Sequence, residues 1–498
     1  MELLLKGISS ANLKQQNVFL TGVVILSCGF VMLAVYRILL HPLRHVPGPF
    51  VAKISGSYMF MSKIHLNRAH ALRDLHNTYG SLVRIGPNEV SLADWRMYRK
   101  IYRDRSILKD PNFYGPFEFL DEGNIFATCD TADHAARKKL MDLIIERTDA
   151  MVDRIVREAD KSSTRTVDVF HLLGVWSVEV ICKVMFDTKF PANEAQISTI
   201  LKAMENSPPS FLINVVAPWM KHSTLRFHLP GPLGRAYKSF EIWRQGTEAM
   251  LEDFSNHSLN SKEGMNFLGG HLLSTVNKHL DRTYSRKEAL EEAMGVLIAG
   301  SQVTQHTFLY LLFAIASPEK QEVQRRLREE LAKAEDTLQG LLKLPYLTAV
   351  IRETYRLYPA IMSTLPRILT RPLPIEDSNV TLPPSTRIGM QNYVHHRDGQ
   401  MFRRPDEFLP ERWLEGNGLN QGLDLEDMQA AVTTFSVGSR TCLGQNLAHA
   451  QLYLATARVI RRLKLSLNEG MAEEDMFMQD MWAVAPKGER LLLDVEYL

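Results

Sequence analysis

The chain has 498 residues, 45% of them hydrophobic, and a formal net charge of +2 from 58 basic against 56 acidic side chains. That is enough apolar material for one large domain or two or three ordinary ones, and the balanced charge, with no long run of either sign, excludes a nucleic-acid footprint and an acidic solvating tail. Cys28, Cys129, Cys182 and Cys442 share no C-x-x-C spacing and make a poor disulfide framework, so a reducing compartment suits the main body.

Residues 1–17 read as an N-terminal tail. From Val18 to Tyr36 the sequence VFLTGVVILSCGFVMLAVY carries no charge, and Ile38 to Leu40 extends the apolar run past Arg37. This predicts a transmembrane anchor over residues 18–40. No small-residue cleavage site follows, so the anchor is preferred to a cleaved signal peptide or a buried core helix. Lys6 and Lys14 precede the span while Arg37, Arg44 and Lys53 follow it, a small bias placing the C-terminal side in the cytosol. Residues 41–49 form a proline-rich hinge, in which Pro47-Gly48-Pro49 forbids helix continuation, and the catalytic body runs over residues 50–498.

Helical periodicity then dominates: Thr131 to Met141, Val167 to Phe186, Tyr237 to Ser255, Ser285 to Ala316, Pro318 to Ala334, Tyr346 to Leu357 and Gly444 to Leu463. Short strands are expected at Leu82 to Ile85, Glu89 to Leu92, Thr386 to Met390 and Leu491 to Val495. Ser207 to Met220 (SPPSFLINVVAPWM) reads as an apolar loop that either joins the core or dips into a membrane beside the anchor.

The stretch Phe435 to Gly444, FSVGSRTCLG, sets Cys442 between two glycines and two residues after Arg440. A thiolate ligates metal, and a single one cannot close a zinc or iron–sulfur site, but it can be the sole protein ligand of haem iron. Gly438 and Gly444 let the backbone turn and approach a flat ligand, and the helix starting at Gly444 points its positive end at the sulfur. Arg440 can pair with a haem propionate, and Phe435 offers an aromatic face. The plain alternative is a structural cysteine in a glycine-rich turn.

This stretch resembles the haem-binding loop of the cytochrome P450 family, F-x-x-G-x-R-x-C-x-G, a pattern expected by chance on the order of 10⁻⁴ times in a chain of this length. The resemblance runs from about Tyr36 to the end. Glu353 and Arg356 match the family's E-x-x-R helix within LPYLTAVIRETYRLYP, and Pro410 to Trp413 matches P-E-R-W at the end of HHRDGQMFRRPDEFLPERW. The resemblance implies a network of Glu353, Arg356 and Arg412. It also implies propionate contacts from Arg367 and from the His134/Lys138 pair, four residues apart on one helix face. The implied fold is mainly α with small β-sheets, a cytochrome P450 fold behind an N-terminal transmembrane helix. The leader YRILLHPLRHVPGP is similar to that of membrane-bound members from filamentous fungi, which implies a single-pass protein of the endoplasmic reticulum with its catalytic domain in the cytosol.

The same resemblance implies a cofactor and partners. The cofactor is haem b, its iron axially ligated by Cys442, with O2 as co-substrate and NADPH electrons arriving through a separate NADPH–cytochrome P450 reductase. Cytochrome b5 is a second candidate electron partner, and Arg137, Lys138 and Lys139 are candidates for the docking face. The substrate class is a lipophilic small molecule, an intermediate of secondary metabolism. Its pocket would be lined by residues 113–119, 211–216, 296–303, 360–365 and 476–482.

The pattern also breaks. In AGSQVTQHT (Ala299 to Thr307), Gln302 stands where the family has an acid and Val303 where it has a threonine. Proton delivery to bound oxygen uses a titratable group and a hydroxyl, which an amide and a valine do not provide. Thr304, about 100° around the helix, and Thr307, one turn on, are the candidates to replace them. After His134 the family's loop with a Phe-Ser pair is missing. Two further readings therefore stand beside monooxygenation: an atypical oxidation (phenol coupling, desaturation or ring closure) with a substrate hydroxyl assisting proton delivery, and a non-catalytic haem-binding protein.

Overall fold

The computed structural model describes residues 21, 23–104, 106–114, 145–186, 194–257, 259, 267–276, 281–335, 337–376, 378–481 and 483–498. The expected helix Thr131 to Met141, with His134, Arg137, Lys138 and Lys139, lies outside them, as do residues 115–119 of the expected pocket lining.

A helix from Val23 to Leu40, with none of its residues buried and a mean hydropathy of 2.4, is long and apolar enough to cross a bilayer. Its last turn, Tyr36–Leu40, widens to a π-helix before His41 turns extended. The following hinge is fastened to the body. The Arg84 amide donates to the Pro47 carbonyl at 2.6 Å, and the buried Arg84 guanidinium donates to the Leu43 carbonyl at 3.3 Å and the Pro87 carbonyl at 2.7 Å. Gly48 sits at φ +153°, where a Cβ would stand 2.3 Å from the Arg84 carbonyl oxygen, so only glycine permits this approach.

The centre of the molecule is the helix Arg286–Ala316. Ser285 starts it with a reciprocal capping box, its hydroxyl accepting from the Glu288 amide at 3.2 Å while Glu288 accepts from the Ser285 amide at 2.6 Å. Arg282 beside it holds the Glu288 carboxyl down at about 2. The last nine residues of the helix, Phe308 to Ala316, are apolar all round and nearly all buried, as a helix crossing a core must be. It packs on Phe170–Met185, Pro345–Leu357 and Gln445–Arg462. One apolar core gathers Trp176, Phe308, Leu311, Leu347, Tyr355 and Val459; a second lies between Phe170–Met185, Glu194–Asn206, Gly231–His257 and the first half of the central helix.

The sheets are small. Strands Leu82–Gly86, Glu89–Leu92, Arg387–Met390, Arg367–Ile368 and Leu108–Lys109 form one sheet in that order, and Thr166–Asp168, Leu492–Tyr497 and Leu463–Leu467 form another. The second sheet corrects the expected helix Val167 to Phe186: Val167 pairs with Leu493 in a strand, and the helix begins at Phe170, whose amide is capped by Asp168 at 3.1 Å. Local periodicity could not foresee a partner more than 300 residues away. The expected helix Pro318 to Ala334 is likewise a 3-10 turn, Pro318–Lys320, followed by Gln321–Leu331. The stretch Ser207 to Met220 is helix over Pro208–Val216 and a 3-10 turn over Pro218–Lys221. Two prolines at the start supply the helical φ there, and Pro218 stops the helix. Val216 and Trp219 remain 65% and 63% exposed, so this end of the segment does not join the core.

Candidate functional site

The loop before the helix Gln445–Arg462 holds Cys442 in a defined turn. The Cys442 amide donates to the Phe435 carbonyl at 2.8 Å, and the Thr441 hydroxyl donates to the same carbonyl at 3.1 Å. Gly438 has φ +81°, and a Cβ there would lie 2.7 Å from the Tyr102 carbonyl oxygen, so this glycine is required twice over. Gly444 has an ordinary φ of −81°, and a Cβ on it would only touch the Cys442 sulfur at 4.0 Å; the sharp turn belongs to Gly438 and to Ser436, at φ +60°. Arg440 lies at the end of the turn Gly438–Arg440, which packs on the helix Trp95–Arg103. The Cys442 side chain has an exposed face, yet surrounding protein pushes its thiol up while the Gly444 amide, donating to sulfur, pulls it down. A sulfur on the floor of a cleft satisfies both descriptions.

Behind the sulfur, Phe435 meets Tyr355 edge-on at 5.1 Å and His449 at 5.0 Å. Tyr355 lies between Glu353 and Arg356 on the helix Pro345–Leu357, and its carbonyl accepts from the Thr434 hydroxyl at 3.0 Å. The base of the loop is tied again at Thr433: its amide donates to His396 Nε2 at 2.9 Å, and its hydroxyl meets His395 Nε2 at 2.7 Å. Burial holds the His395 imidazole down at about 3 and His396 well below its ordinary value, so both are neutral; His396 accepts from the Thr433 amide, while the Thr433 hydroxyl donates to Asn392 Oδ1 at 3.0 Å and accepts from His395 Nε2.

Glu353, Arg356 and Arg412 meet, all fully buried. Arg356 donates to the Glu353 carboxylate at 2.8 and 2.9 Å, and Arg412 Nε reaches both its oxygens at 3.0 and 3.1 Å. The Trp413 indole and the Leu409 amide add donors at 3.0 and 2.9 Å. Burial alone would raise the Glu353 carboxyl; Arg356, Arg412 and these donors instead hold it below its usual range. The spare guanidinium hydrogens go to the carbonyls of His396, Pro405, Arg403 and Arg404. The network therefore braces the segment that carries Thr433 and, beyond it, Cys442.

On the other side of the cysteine loop, Arg367 is only 4% exposed. Its guanidinium donates to the Tyr114 hydroxyl at 2.7 Å and lies over the Tyr102 ring at 4.7 Å. Tyr102 stacks on Tyr98 at 4.3 Å, and Tyr98 sits against Ser436 and Thr433. Among the described residues no carboxylate forms an ion pair with Arg367. A buried cation without an anion is costly, so the position suits an anionic group from a ligand. The three tyrosines carry no signal that the motifs reveal, although Tyr98 and Tyr102 are spaced to share one face of their helix.

In the central helix, Ala299 is exposed and Val296, Gly300 and Val303 are half-exposed, which marks a face that the surrounding protein leaves partly uncovered. Gln302 and Thr304 are 7% and 4% exposed, on the flanks of that face. The Thr307 hydroxyl donates to the Val303 carbonyl at 2.7 Å.

These residues fit an iron porphyrin. One soft sulfur with an open face would serve as the ligand, and among the described residues no cluster of three metal-ligating side chains competes with it. A buried arginine without a carboxylate suits a propionate, and an apolar helix stripe suits the face of a flat ring.

Comparisons agree. The family model Cytochrome P450 matches residues 46–493. Cytochrome P450 monooxygenase tazI of Aspergillus terreus is 27% identical, over 95% of this chain and 98% of its own length. N-acetyltryptophan 6-hydroxylase ivoC of Emericella nidulans is 27% identical over 91% and 92%, and averantin hydroxylase of Dothistroma septosporum 27% over 92% and 88%. In fold, the chain is similar to retinoic-acid-bound cyanobacterial CYP120A1, with a TM-score of 0.69 at 16% identity over 88% of this chain and 96% of the other. With a family match spanning residues 46–493, this chain belongs to the cytochrome P450 family of oxidoreductases.

Proposed function

We propose that the chain is a membrane-anchored haem-thiolate monooxygenase that oxidises a lipophilic intermediate of fungal secondary metabolism. The observation that carries this reading is the Cys442 sulfur, held with one open face at the start of a helix, together with the buried Arg367, which pairs with no carboxylate among the described residues. When bound, haem b would supply the activation of dioxygen, with electrons from NADPH through a separate reductase, and cytochrome b5 as a second donor.

The protein's own residues have distinct tasks. Burial pushes the Cys442 thiol up, and the Gly444 amide, with the positive end of the helix Gln445–Arg462, offsets part of that push. Phe435, Tyr355 and His449 form an aromatic cluster at the base of the cysteine loop, with Tyr355 close enough to Cys442 to be affected by its charge. Arg367 and Arg440 would each hold a propionate, with Tyr114 orienting Arg367; His134 and Lys138 remain candidates for the same role. Val296, Ala299 and Val303 present a non-hydrogen-bonding surface to a lipophilic substrate. The hydrophobic N-terminal helix and the exposed Val216 and Trp219 support a body lying on a membrane, with the endoplasmic reticulum and a cytosolic orientation as the proposed setting.

The test is the carbon monoxide difference spectrum of the reduced protein, then product and peroxide formed per NADPH consumed with reductase. A thiolate-type band, abolished in Cys442→Ala, supports the reading; haem bound unchanged by that variant refutes it. A second reading, an atypical oxidation assisted by a substrate hydroxyl, is favoured by the side chain at 303, which reaches the open face without a hydroxyl. Desaturated or coupled products in place of hydroxylated ones would select it.

A further inference from the structure

One turn past Gln302 on the central helix stands His306. It is 6% exposed, and neither of its ring nitrogens has a hydrogen-bond partner. Its ring stacks on Phe170, centroids 5.8 Å apart, and the Val484 backbone lies beside it, outside hydrogen-bonding geometry. On a helix of 3.6 residues per turn, position 306 follows 299 and 303 on the partly uncovered stripe.

The residue before it makes a second polar contact at the same phenylalanine: Gln305 Nε2 donates to the Phe170 carbonyl at 3.0 Å. Gly174 leaves room for that amide, since a Cβ there would lie 2.9 Å from Gln305 Nε2. Beside Gln305 stands Glu205, at the C-terminal end of the helix Glu194–Asn206 and only half-buried, with Glu489 and Lys202 nearby. Gln305 Oε1 and Glu205 Oε1 are also buried and unpaired. Four unpaired acceptor or donor atoms thus lie on Glu205, Gln305 and His306, and internal water is the usual partner of buried polar atoms that the protein leaves unsatisfied.

We propose that Glu205, Gln305 and His306, joined by internal water, form the proton-entry path of this chain, with His306 taking the place of the acid and hydroxyl that positions 302 and 303 lack. This rests on the monooxygenase reading above. Burial holds the His306 imidazole down at about 4, so it is neutral, with one N–H donor and one bare acceptor. A neutral imidazole takes a proton on the bare nitrogen and releases the other to the next water, leaving the opposite tautomer; a half-turn of the ring about its Cβ–Cγ bond restores the first arrangement, and one proton has moved. Burial, with Glu489 nearby, raises the Glu205 carboxyl to about 7, so it can refill the path from solvent near neutrality.

Two measurements on the full-length, haem-loaded protein test the path. In a high-resolution crystal structure, an ordered water within about 3.2 Å of a His306 nitrogen is expected; a dry, stacked ring overturns the proposal. With reductase and NADPH but no substrate, oxygen leaves either as peroxide, using two electrons and two protons, or as water, using four of each. His306→Phe and Glu205→Gln should each shift the balance several-fold toward peroxide, approaching about one peroxide per NADPH, while His306→Gln, which keeps a donor and an acceptor, retains part of the water yield. Equal peroxide ratios in wild type and Glu205→Gln, or in wild type and His306→Phe, overturn it. If His306→Phe loses its haem, Glu205→Gln and His306→Gln decide. A thiolate-type carbon monoxide band with unchanged ratios defeats this path alone; absence of the band in wild type defeats the monooxygenase reading.

Discussion

Glu353 is a fully buried carboxylate held by two guanidinium groups, an indole and an amide. Removing one partner strands the others, which costs about 3–5 kcal/mol in such networks. Arg412→Leu should therefore lower thermal stability and haem retention together, because the segment that bears Thr433 loses its brace; an unchanged melting temperature would show that the carbonyls around Arg412 carry no strain when it is gone. Gly438→Ala is the sharper local test. It forces a left-handed φ on a side chain at about 1–2 kcal/mol and drives a Cβ into the Tyr102 carbonyl. Haem content after purification should fall, whereas Gly444→Ala, with an ordinary φ, should keep its haem. At this scale the motif residues are readable because their spacing along the chain is fixed by one short loop or one helix turn. Trp413, Tyr98, Tyr102 and Tyr114 act through neighbours distant in sequence, and their roles are not.

The central helix shows how an element sorts residues that a motif cannot. Its open stripe carries Val303, while Gln302 and Thr304 are turned into the packing. A hydroxyl placed on the stripe is therefore the substitution that reaches the uncovered face: Val303→Thr should lower peroxide formed per NADPH several-fold, and Thr304→Ala should change it little. The opposite order would mean that the stripe is not the face at which oxygen is handled. The helix Glu194–Asn206 contributes a titration. Glu205 has its carboxyl raised from 4.5 to about 7, chiefly by burial, so the native state keeps the proton that the unfolded chain releases. Its contribution to stability is full below about pH 4.5 and is lost as pH rises to about 7, a change of up to about 3 kcal/mol. Chemical-denaturation midpoints compared across that window should fall with rising pH in the wild type and fall less in Glu205→Gln. The start of the central helix is legible from Ser285 and Glu288, since capping is a local exchange of hydrogen bonds between neighbouring residues. The segment Ser207 to Met220 reads as a loop only if its prolines count as breakers, and two of them stand instead at a helix start.

For the whole molecule, the proposed membrane setting would divide contact between the helix Val23–Leu40 and the exposed Val216 and Trp219 of the body. The helix Val23–Leu40 spans about 27 Å at ~1.5 Å per residue, close to a bilayer's hydrocarbon thickness. Deleting residues 1–40 should release most of the protein from membranes while leaving weak binding to vesicles. Trp219→Ser with Val216→Ser in that truncated chain should remove the remainder; binding that survives both changes would place the contact elsewhere. What the sequence alone determined is what short range enforces: an uncharged span of membrane length, a glycine-flanked cysteine, caps and periodic helices, and the order of motifs along the chain. Tertiary structure decided which side chains share a site, because burial and pairing depend on segments hundreds of residues apart. Thus Val167 became strand through Leu493, Arg367 gained its tyrosine surround, and His306 was left buried with no partner for either ring nitrogen.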